Sequence, residues 1–454
     1  MLNLILQKMP LSSLIRGLLE RCFSPAHLDA IFARHAHEQY TRQLLFSTVC
    51  DLLLSVVLQV NPSIHAAYRA RQEEMEVSLT AVYDKLNHTE PGVMAALVEE
   101  TTQDLLAVRE SLGVDQPGLL AGYELRILDG NWLAATEKRL NVHQSVAGAA
   151  LPGKSLVVYD PDRDVMLHVL PCEDGHAQER SMLGAVLPLI QPKQGWLADR
   201  NFCTVGFLRG IRERQGYALI RQHAQLPLIE RSAWSEAVAG PDGLLIREQV
   251  VEIDGARYRR IRLELPQKTR DGDRILDLIS DFPETVRASV LAELYRKRWT
   301  IESAFQRLEG HFHSELKTLA YPRAALFGFC LAVIAYNVFS LAKATLDSVH
   351  AEPVSQTLST DYLGHEIAAT FRALFDLTDG TEWHFIPQLS RSEFAQWLQQ
   401  IAQRMAIQAY RKTGRGPKKP RLKVPHDPKQ PHVSTQKLLL QAKRKKTLAD
   451  VVAP

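Results

Sequence analysis

The stretch Tyr123–Leu128, which reads Tyr-Glu-Leu-Arg-Ile-Leu, is a short β-rich run that ends in Asp129-Gly130-Asn131. A run of this kind, closed by turn-forming residues, predicts a strand. Gly195–Ala198 predicts another short strand, which ends at Asp199. Open α/β sheets build their sites at the ends of strands. The two acids are therefore candidates for one site.

The residues between these two strands predict further elements of the same sheet. Ser155–Tyr159 and Val165–Leu170 are β-rich and flank the turn sequence Asp160-Pro161-Asp162-Arg163. The acids of this turn are interpreted as structural, because the proline and the spacing suit a hairpin. His176–Ile190 has a helical pattern. Three strands, a helix and a fourth strand fit the start of an RNase H-like α/β domain, although this order is not unique to it.

A block of alternating segments follows and predicts β-strands inserted into the domain, at Tyr217–Ile220, Leu244–Ile253 and Tyr258–Leu265. Arg274–Ile279 is predicted to be a fifth core strand, and Thr285–Phe312 a long helix. Pro322–Ala344 predicts a second helix, in which Ala324–Ala342 carries no charge and is long enough to span a bilayer. A helix packed inside a large domain explains this composition better.

The fold class predicted is α/β, with an RNase H-like catalytic core interrupted by a β-strand insertion and flanked by helical N- and C-terminal regions. The expected regions are a helical N-terminal region at 1–115, the core at 116–205 and 271–345 around the insertion at 206–270, a C-terminal helical region at 346–410, and a basic tail at 411–454.

The charge of the chain is distributed unevenly. The whole chain of 454 residues has a net charge of +3, yet residues 411–446 contain thirteen Lys and Arg against a single acid, Asp427. This asymmetry indicates a tail that binds a polyanion, with a solvated tail as the alternative. Its prolines predict an extended or disordered tail when free. The five cysteines form no C-x-x-C pair, and no secretory signal is apparent, so we expect reduced thiols in a cytoplasmic protein.

A third acid, Glu302, lies on the predicted long helix. Three carboxylates are ligands that Mg²⁺ prefers, and they leave room for water and phosphate oxygens. Two such ions support the in-line displacement of phosphodiester chemistry. Taken singly, each acid has an ordinary alternative: Asp129 as a turn residue, Asp199 as a surface pair or helix cap, and Glu302 as a solvated helix residue.

The stretch Tyr295-Arg296-Lys297-Arg298-Trp299-Thr300-Ile301-Glu302 resembles the Y-x2-R-x3-E signature of the insertion-sequence-four family of bacterial DDE transposases. In that family the second acid has a D-R-x-F-like context, matched here by Asp199–Phe202, and a β-strand block separates it from the Glu. The resemblance covers about residues 120 to 340. Tyr295, Arg298 and Glu302 are also spaced to share one helix face.

The resemblance implies that Asp129, Asp199 and Glu302 are the catalytic residues and hold two Mg²⁺ ions, for which Mn²⁺ can substitute. It implies that Tyr295 and Arg298 bind a DNA phosphate. The family pattern continues with a Lys seven residues after the Glu, where this chain has Glu309. Candidates for other phosphate contacts are Arg200, Arg307 and Lys317. Trp234 is a candidate for base stacking, with packing as an equal alternative.

The leading hypothesis is therefore a transposase for cut-and-paste DNA transposition, with metal-dependent hydrolysis and strand transfer at the ends of its insertion sequence. The partners implied are double-stranded DNA, as terminal inverted repeats and target, and a second copy in a homodimer; the setting is the bacterial cytoplasm, on the nucleoid when bound. The alternatives are a metal-dependent RNase H-like nuclease without strand transfer and a catalytically inactive, transposase-derived DNA-binding protein.

Overall fold

A computed structural model describes residues 2–39, 41, 43–114, 117–137, 140–143, 148–269, 272–350, 354–359, 363 and 380–412. The chain separates into two compact units, Met1–Arg411 and Lys412–Pro454. Apart from its first two residues, the basic tail predicted at 411–454 lies outside the described residues.

The N-terminal region is helical where it is described. Its helices are α1 (Leu2–Lys8), α2 (Pro10–Cys22), α3 (Pro25–His35), α4 (Phe46–Val57), α5 (Ile64–Ala70), α6 (Leu79–His88) and α7 (Pro91–Ser111). Local sequence explains several starts. Pro10, Pro25 and Pro91 occupy first-turn positions, where a missing N–H costs nothing. The hydroxyls of Ser63 and Ser78 accept backbone N–H bonds at the starts of α5 and α6.

The later helices are α8 (Leu183–Val186), α9 (Val205–Glu213), α10 (Ala288–Lys297), α11 (Trp299–Phe312), α12 (Pro322–Val349), α13 (Val354–Thr357) and α14 (Arg391–Ala402). The strands are β1 (Glu124–Trp132), β2 (Lys154–Asp160), β3 (Val165–Cys172), β4 (Gln194–Ala198), β5 (Tyr217–Arg221), β6 (Ile229–Glu230), β7 (Val238–Ala239), β8 (Leu245–Ile253), β9 (Ala256–Glu264) and β10 (Ile275–Ser280).

These ten strands form one sheet in the order β3-β2-β1-β4-β5-β10-β9-β8-β6, with β7 beside β8. Strands β1, β2 and β3 are antiparallel neighbours, whereas β4 is parallel to both β1 and β5. This order and these directions are those of an RNase H-like core, and helices flank the sheet. The predicted α/β fold class is confirmed.

The predicted position of the fifth core strand was wrong. The strand parallel to β4 is β5, which we had assigned to the insertion, whereas β10 pairs antiparallel with β5 and β9. Parallel neighbours need a crossover connection, and α9 supplies it between β4 and β5. The three central residues of β5 are all buried. A continuous apolar run of this kind is typical of a central parallel strand.

Two predicted helices are interrupted. The segment predicted as Thr285–Phe312 consists of α10 and α11, which meet at Arg298. Arg298 keeps right-handed helical dihedral angles, with φ −51° and ψ −36°. Its N–H bonds to the carbonyl of Tyr295, three residues back, which is the tighter pattern of a 3₁₀ turn. Within the predicted His176–Ile190 helix, α8 is flanked by 3₁₀ turns.

Helix α12 is the centre of the core. Every residue from Ala324 to Ala342 is buried, and the helix packs against α2, α4, α6, α7, α11, α14 and β3. By length and hydropathy α12 could cross a membrane, but its most apolar window is entirely buried inside the protein. The interpretation of this segment as an internal helix agrees with that burial.

Asn337 is the polar residue that connects α12 to the sheet. Its Oδ1 accepts from the Met166 N–H at 2.9 Å, while its Nδ2 donates to the Met166 carbonyl at 2.8 Å and to the Thr102 hydroxyl at 2.9 Å. The side chain is fully buried. Asn337 therefore satisfies polar groups of both β3 and α7 that would otherwise be buried without partners.

We expect Asn337→Leu to lower the free energy of unfolding by about 2–4 kcal/mol, because the backbone groups of Met166 and the Thr102 hydroxyl would lose buried partners. Urea unfolding followed by circular dichroism measures the change. The control is Gln103→Leu on the exposed face of α7, expected to change the free energy of unfolding by less than about 0.5 kcal/mol. Equal effects of the two substitutions would contradict the role of Asn337.

Candidate active site

Asp129 and Asp199 lie side by side in the sheet. Strands β1 and β4 are parallel, and Leu128 is in register with Ala198. Asp129 follows Leu128 and Asp199 follows Ala198, so the two aspartates occupy corresponding positions on neighbouring strands. The backbones of such strands are about 4.8 Å apart. The sequence-based expectation that both acids would meet at one edge follows from this register.

The two aspartates share a face of the sheet with α10 and α11. Successive side chains of a strand point to opposite faces, so Asp129 and Asp199 project on the side of Ile127 and Leu197. Those two residues belong to the same buried cluster as Tyr295 of α10 and Ile301 of α11. The helices that carry Tyr295 and Glu302 therefore cover the face from which the aspartates project.

The guanidinium of Arg298 connects Asp129 with Glu302. Its Nη1 donates to Oδ2 of Asp129 at 3.0 Å, and its Nη2 donates to Oε1 of Glu302 at 2.8 Å. The charge of Arg298 also lowers the pKa of Tyr295, against the larger effect of burial. Arg298 is a buried residue, 8% exposed. Arg298 thus binds an acid 169 positions before it in the sequence and an acid four positions after it.

Burial and like charge perturb the acid–base behaviour of this cluster. Burial raises the pKa of Asp129 from 3.8 to about 7, because Arg298 only partly offsets the loss of solvent and Asp199 and Glu302 add negative charge. Burial likewise raises the pKa of Tyr295 to about 12. Arg298 pairs with Asp129 and Glu302, and Asp199 adds a third carboxyl group, so these four residues contain more acidic than basic groups.

The aspartates also serve as local backbone caps. Oδ1 of Asp199 accepts the Asn201 N–H at 2.7 Å and so caps the 3₁₀ turn Arg200–Phe202. The helix-cap alternative for Asp199 is therefore realised, but it uses only one of the two carboxylate oxygens. Oδ1 of Asp129 accepts the Gly130 N–H at 3.0 Å. Strand β1 continues to Trp132, so Asp129 lies within a strand rather than in a turn.

The arrangement tests the expected metal site. Three carboxylates are chemically suited to Mg²⁺. Across the described residues, however, no three His, Cys, Asp or Glu side chains are grouped so that they could hold a metal ion. The guanidinium of Arg298 lies between two of the three expected ligands. Carboxylates are the right ligands for a divalent cation. In this structure, however, two of them bind the guanidinium of Arg298 instead.

Comparison with known proteins relates this sheet to a family. Residues 122–338 match the family model described as the transposase DDE domain. This part of the chain is similar to that domain. The matched segment runs from the start of β1 into α12 and includes Asp129, Asp199 and Glu302. No curated protein matches the sequence significantly.

Among solved structures, the chain is similar to the piggyBac transposase in a synaptic complex with hairpin DNA, studied by cryo-electron microscopy. The TM-score is 0.36 and the sequence identity is 10%, over 85% of this chain and 84% of that chain.

The other basic residues predicted for the DDE domain site differ in their surroundings. Arg200, beside Asp199, and Lys317 are exposed. Arg307 is bonded through Nη1 and Nη2 to Asp164 at 3.2 and 3.3 Å. Asp164 also accepts from Lys343 and from the hydroxyls of Tyr159 and Tyr336. Arg307 is therefore part of a structural network, with its charge already paired.

Trp234 lies in the inserted strands, half-buried against two arginines. Its ring is 4.3 Å from the Arg262 guanidinium and 5.2 Å from that of Arg260. Both arginines bond to Asp277 of β10. These contacts support the packing alternative for Trp234, because one side of its ring is used to cover paired charges.

Sequence reasoning missed Arg221, the last residue of β5. Ala198 is in register with Ile220, which puts Arg221 next to Asp199 on the third parallel strand. Its Nη2 donates to Asp273 at 2.7 Å, and its charge acts on Tyr295. The assignment of this segment to the insertion hid the residue. Correct placement of β5 as a parallel core strand would have found it.

Two exposed tryptophans, at the end of β1 and the start of α11, were also missed. Trp132 ends β1 and is 54% exposed, and Trp299 begins α11 and is 59% exposed. The indole N–H of Trp132 donates to Glu179, and the Lys154 ammonium lies 4.8 Å from its ring centre. Both are exposed aromatic side chains close in sequence to the candidate site residues. Their positions three residues after Asp129 and directly after Arg298 were the available signal.

The raised pKa of Asp129 gives a prediction for stability. A carboxyl whose folded pKa exceeds its unfolded value destabilises the folded state as pH rises from about 4 through about 7. Asp129→Asn removes this effect. Without divalent ions, we expect the variant to gain free energy of unfolding over the parent, with an upper limit of about 4 kcal/mol above pH 7 at 1.36 kcal/mol per pKa unit.

Urea unfolding at about pH 5 and about pH 8 measures this gain, which should be larger at the higher pH. Asp242→Asn is the matched control, since Asp242 is a surface acid with a 79% exposed side chain. A gain for Asp129→Asn that does not change with pH would show that the charge of Asp129 costs nothing in the folded protein.

Proposed function

We propose that this chain is a DNA transposase that cuts and joins phosphodiester bonds at the ends of its insertion sequence. The observation that carries the proposal is that Arg298 bonds to both Asp129 and Glu302 inside the segment that matches the transposase DDE domain. Asp199 follows the neighbouring parallel strand at the position that corresponds to Asp129. Acids placed in this way suit phosphoryl transfer, which requires positioning and charge neutralisation.

Within this proposal the three acids are the ligands of two divalent ions, Mg²⁺ or Mn²⁺. Bound there, the ions would supply activation of the attacking oxygen and stabilisation of the leaving oxygen. The protein itself positions the acids through the β1–β4 register and through α11. The excess negative charge of the cluster and the raised pKa of Asp129 support the binding of cations at this position.

The signature residues support membership of the insertion-sequence-four family. Tyr295, Arg298 and Glu302 are spaced as Y-x2-R-x3-E, and the side chain of Arg298 bonds to Glu302 and acts electrostatically on Tyr295. We assign Arg298 and Tyr295 to a DNA phosphate next to the cut bond, because a guanidinium fork matches phosphate oxygens. Exposed Arg200 and Lys317 extend the positive surface, whereas Arg221 is half-buried and paired with Asp273. Trp299, next to Arg298, presents an exposed ring on which an unpaired base can stack.

The partners in this proposal are the two terminal inverted repeats, the target DNA and a second copy of the chain, since both ends must be cut together. The N-terminal helices are assigned to end recognition and the basic tail to phosphate contacts along DNA. The reaction is placed in the cytoplasm. A nuclease without strand transfer is the alternative, and it differs in releasing cut ends that never join to target DNA.

We expect Asp129→Asn, Asp199→Asn and Glu302→Gln each to reduce strand cleavage by at least about a thousandfold while DNA binding persists, as for loss of a central catalytic group. The assay incubates the full chain and Mg²⁺ with DNA carrying the flanking ends of its own element, and scores cleavage and joining to a target plasmid. Asp242→Asn is the control and should keep parental activity. Activity in the three variants equal to the parent, or none in any protein, would refute the assigned site.

A second prediction concerns the tail. A chain ending at Lys412 lacks eleven of the thirteen basic residues at 411–446. We expect weaker binding to arbitrary duplex DNA and a shallower dependence of log K on log salt, since each phosphate contact contributes about −0.9 to that slope. Fluorescence anisotropy over a salt series measures both. An unchanged slope would remove the tail from the DNA interface.

A further inference from the structure

We propose that Arg298 is an internal cation that holds Asp129 and Glu302 together in the free protein, and that a divalent metal displaces it onto a DNA phosphate. This inference rests on the proposed function, because it assumes that the three acids are metal ligands. The inference adds that metal and DNA do not bind independently of each other. Metal affinity should be low until a phosphate is available to receive the guanidinium.

Arg298 bridges the carboxylates of Asp129 and Glu302, which are two of the proposed metal ligands. Its two terminal nitrogens lie 3.0 Å from Oδ2 of Asp129 and 2.8 Å from Oε1 of Glu302. The side chain of Arg298 is 10% exposed, and those of the two acids are 17% and 34% exposed. An ion pair with so little solvent contact is screened less than a surface pair.

A metal ion and this guanidinium compete for the same oxygens. Mg²⁺ binds oxygen at about 2.0–2.1 Å and demands near-octahedral geometry. Each carboxylate in contact with Arg298 has an oxygen directed to nitrogen instead, and no metal-holding group exists among the described residues. Metal binding at Asp129 and Glu302 therefore requires Arg298 to move away from at least one of them.

The Arg298 side chain has an alternative position near Trp299. It lies at the junction of α10 and α11, where the helical hydrogen-bond pattern is interrupted. Within the described residues its Nε is buried without a hydrogen-bond partner, so the present position leaves one donor unsatisfied. The guanidinium is 5.3 Å from the ring of Trp299, which is 59% exposed. A rotation toward this ring keeps the cation in contact with an aromatic face and brings it to the surface that DNA would approach.

The acceptor at that surface is a backbone phosphate. Two phosphate oxygens match the planar fork of the Arg298 guanidinium. They would accept the hydrogen bonds that Arg298 now donates to Asp129 and Glu302. Because both metal and phosphate then favour the same displaced position of Arg298, each should strengthen the binding of the other. The chain would thus bind its metal tightly only when DNA is in place, which protects DNA from unspecific cutting by free enzyme.

The test measures Mn²⁺ binding by the electron paramagnetic resonance signal of the free ion, with the full chain and without DNA. We expect Arg298→Gln to bind Mn²⁺ on the order of tenfold more tightly than the parent, the factor that about 1.4 kcal/mol of lost competition represents. Arg298→Lys keeps a positive charge near the acids and should stay close to the parent. Arg296→Gln is the matched control, since Arg296 is a neighbouring arginine that pairs with Asp242 at the surface and has a 60% exposed side chain.

A second arm adds a short duplex carrying a 5′ phosphate. The duplex should tighten Mn²⁺ binding by the parent and by Arg296→Gln, and should have little effect on Arg298→Gln. If Arg298→Gln does not fold, as judged by circular dichroism, the parent still decides: Mn²⁺ affinity that does not respond to the duplex overturns the inference.

Equal Mn²⁺ affinities of the folded parent and Arg298→Gln without DNA also overturn it, while leaving the proposed function intact. A different result separates the two ideas. If neither protein binds Mn²⁺ even with the duplex, the acids are not metal ligands, and the proposed function fails together with the inference.

Discussion

The burial of α12 is the constraint on which the rest of the first unit depends. From Ala324 to Ala342 the helix has no exposed residue, so neighbouring elements must cover it on all sides. Each large apolar side chain that is removed from water contributes about 1.5–3 kcal/mol. Two sets of polar contacts from α12 then fix how the neighbouring elements are placed around the helix. Asn337 binds the edge of β3, and Tyr336 and Lys343 bind Asp164 in the turn that precedes β3. The hairpin is thereby fixed against the helix, and β1 takes its register from the hairpin.

That register creates the electrostatic problem at the candidate site. Parallel pairing of β1 with β4 brings Asp129 next to Asp199, and α11 adds Glu302 from above. Burial raises the pKa of Asp129 to about 7 in spite of Arg298. A purely structural cluster would gain stability from fewer acids or from more cations. Residues held in a costly electrostatic state are typical of functional sites, and here the missing positive charge is what a divalent ion would supply.

Strand and helix patterns in the sequence predicted the sheet and singled out the candidate acids. They could not predict contacts that depend on how the elements pack in three dimensions. Short strands ending in Asp129 and Asp199 were enough to predict their meeting, because parallel strand ends share an edge. Helical spacing was enough to place Tyr295, Arg298 and Glu302 on one face. The spacing could not show that Arg298 bridges Glu302 to Asp129, since that contact depends on how α10 and α11 pack on the sheet. It also could not separate β5 from the inserted strands, since a short apolar run suits both, and Arg221 was lost with it.

The position of Glu309 bears on the phosphate contacts that we propose. The family pattern has a lysine seven residues after the glutamate, and here an exposed glutamate stands there and adds to the raised pKa of Glu315. Burial is the larger cause of that rise. Further along the same helix, Arg307 is paired with Asp164 and has little charge to offer. The far end of α11 is therefore acidic. Arg298 lies at the opposite end of the cluster, beside Asp129, so in the proposed function a DNA strand at this site would be held from the side of α10. A phosphate held there is also within reach of the only guanidinium that stands between the proposed metal ligands in the described structure, which couples DNA position to the state of the acids.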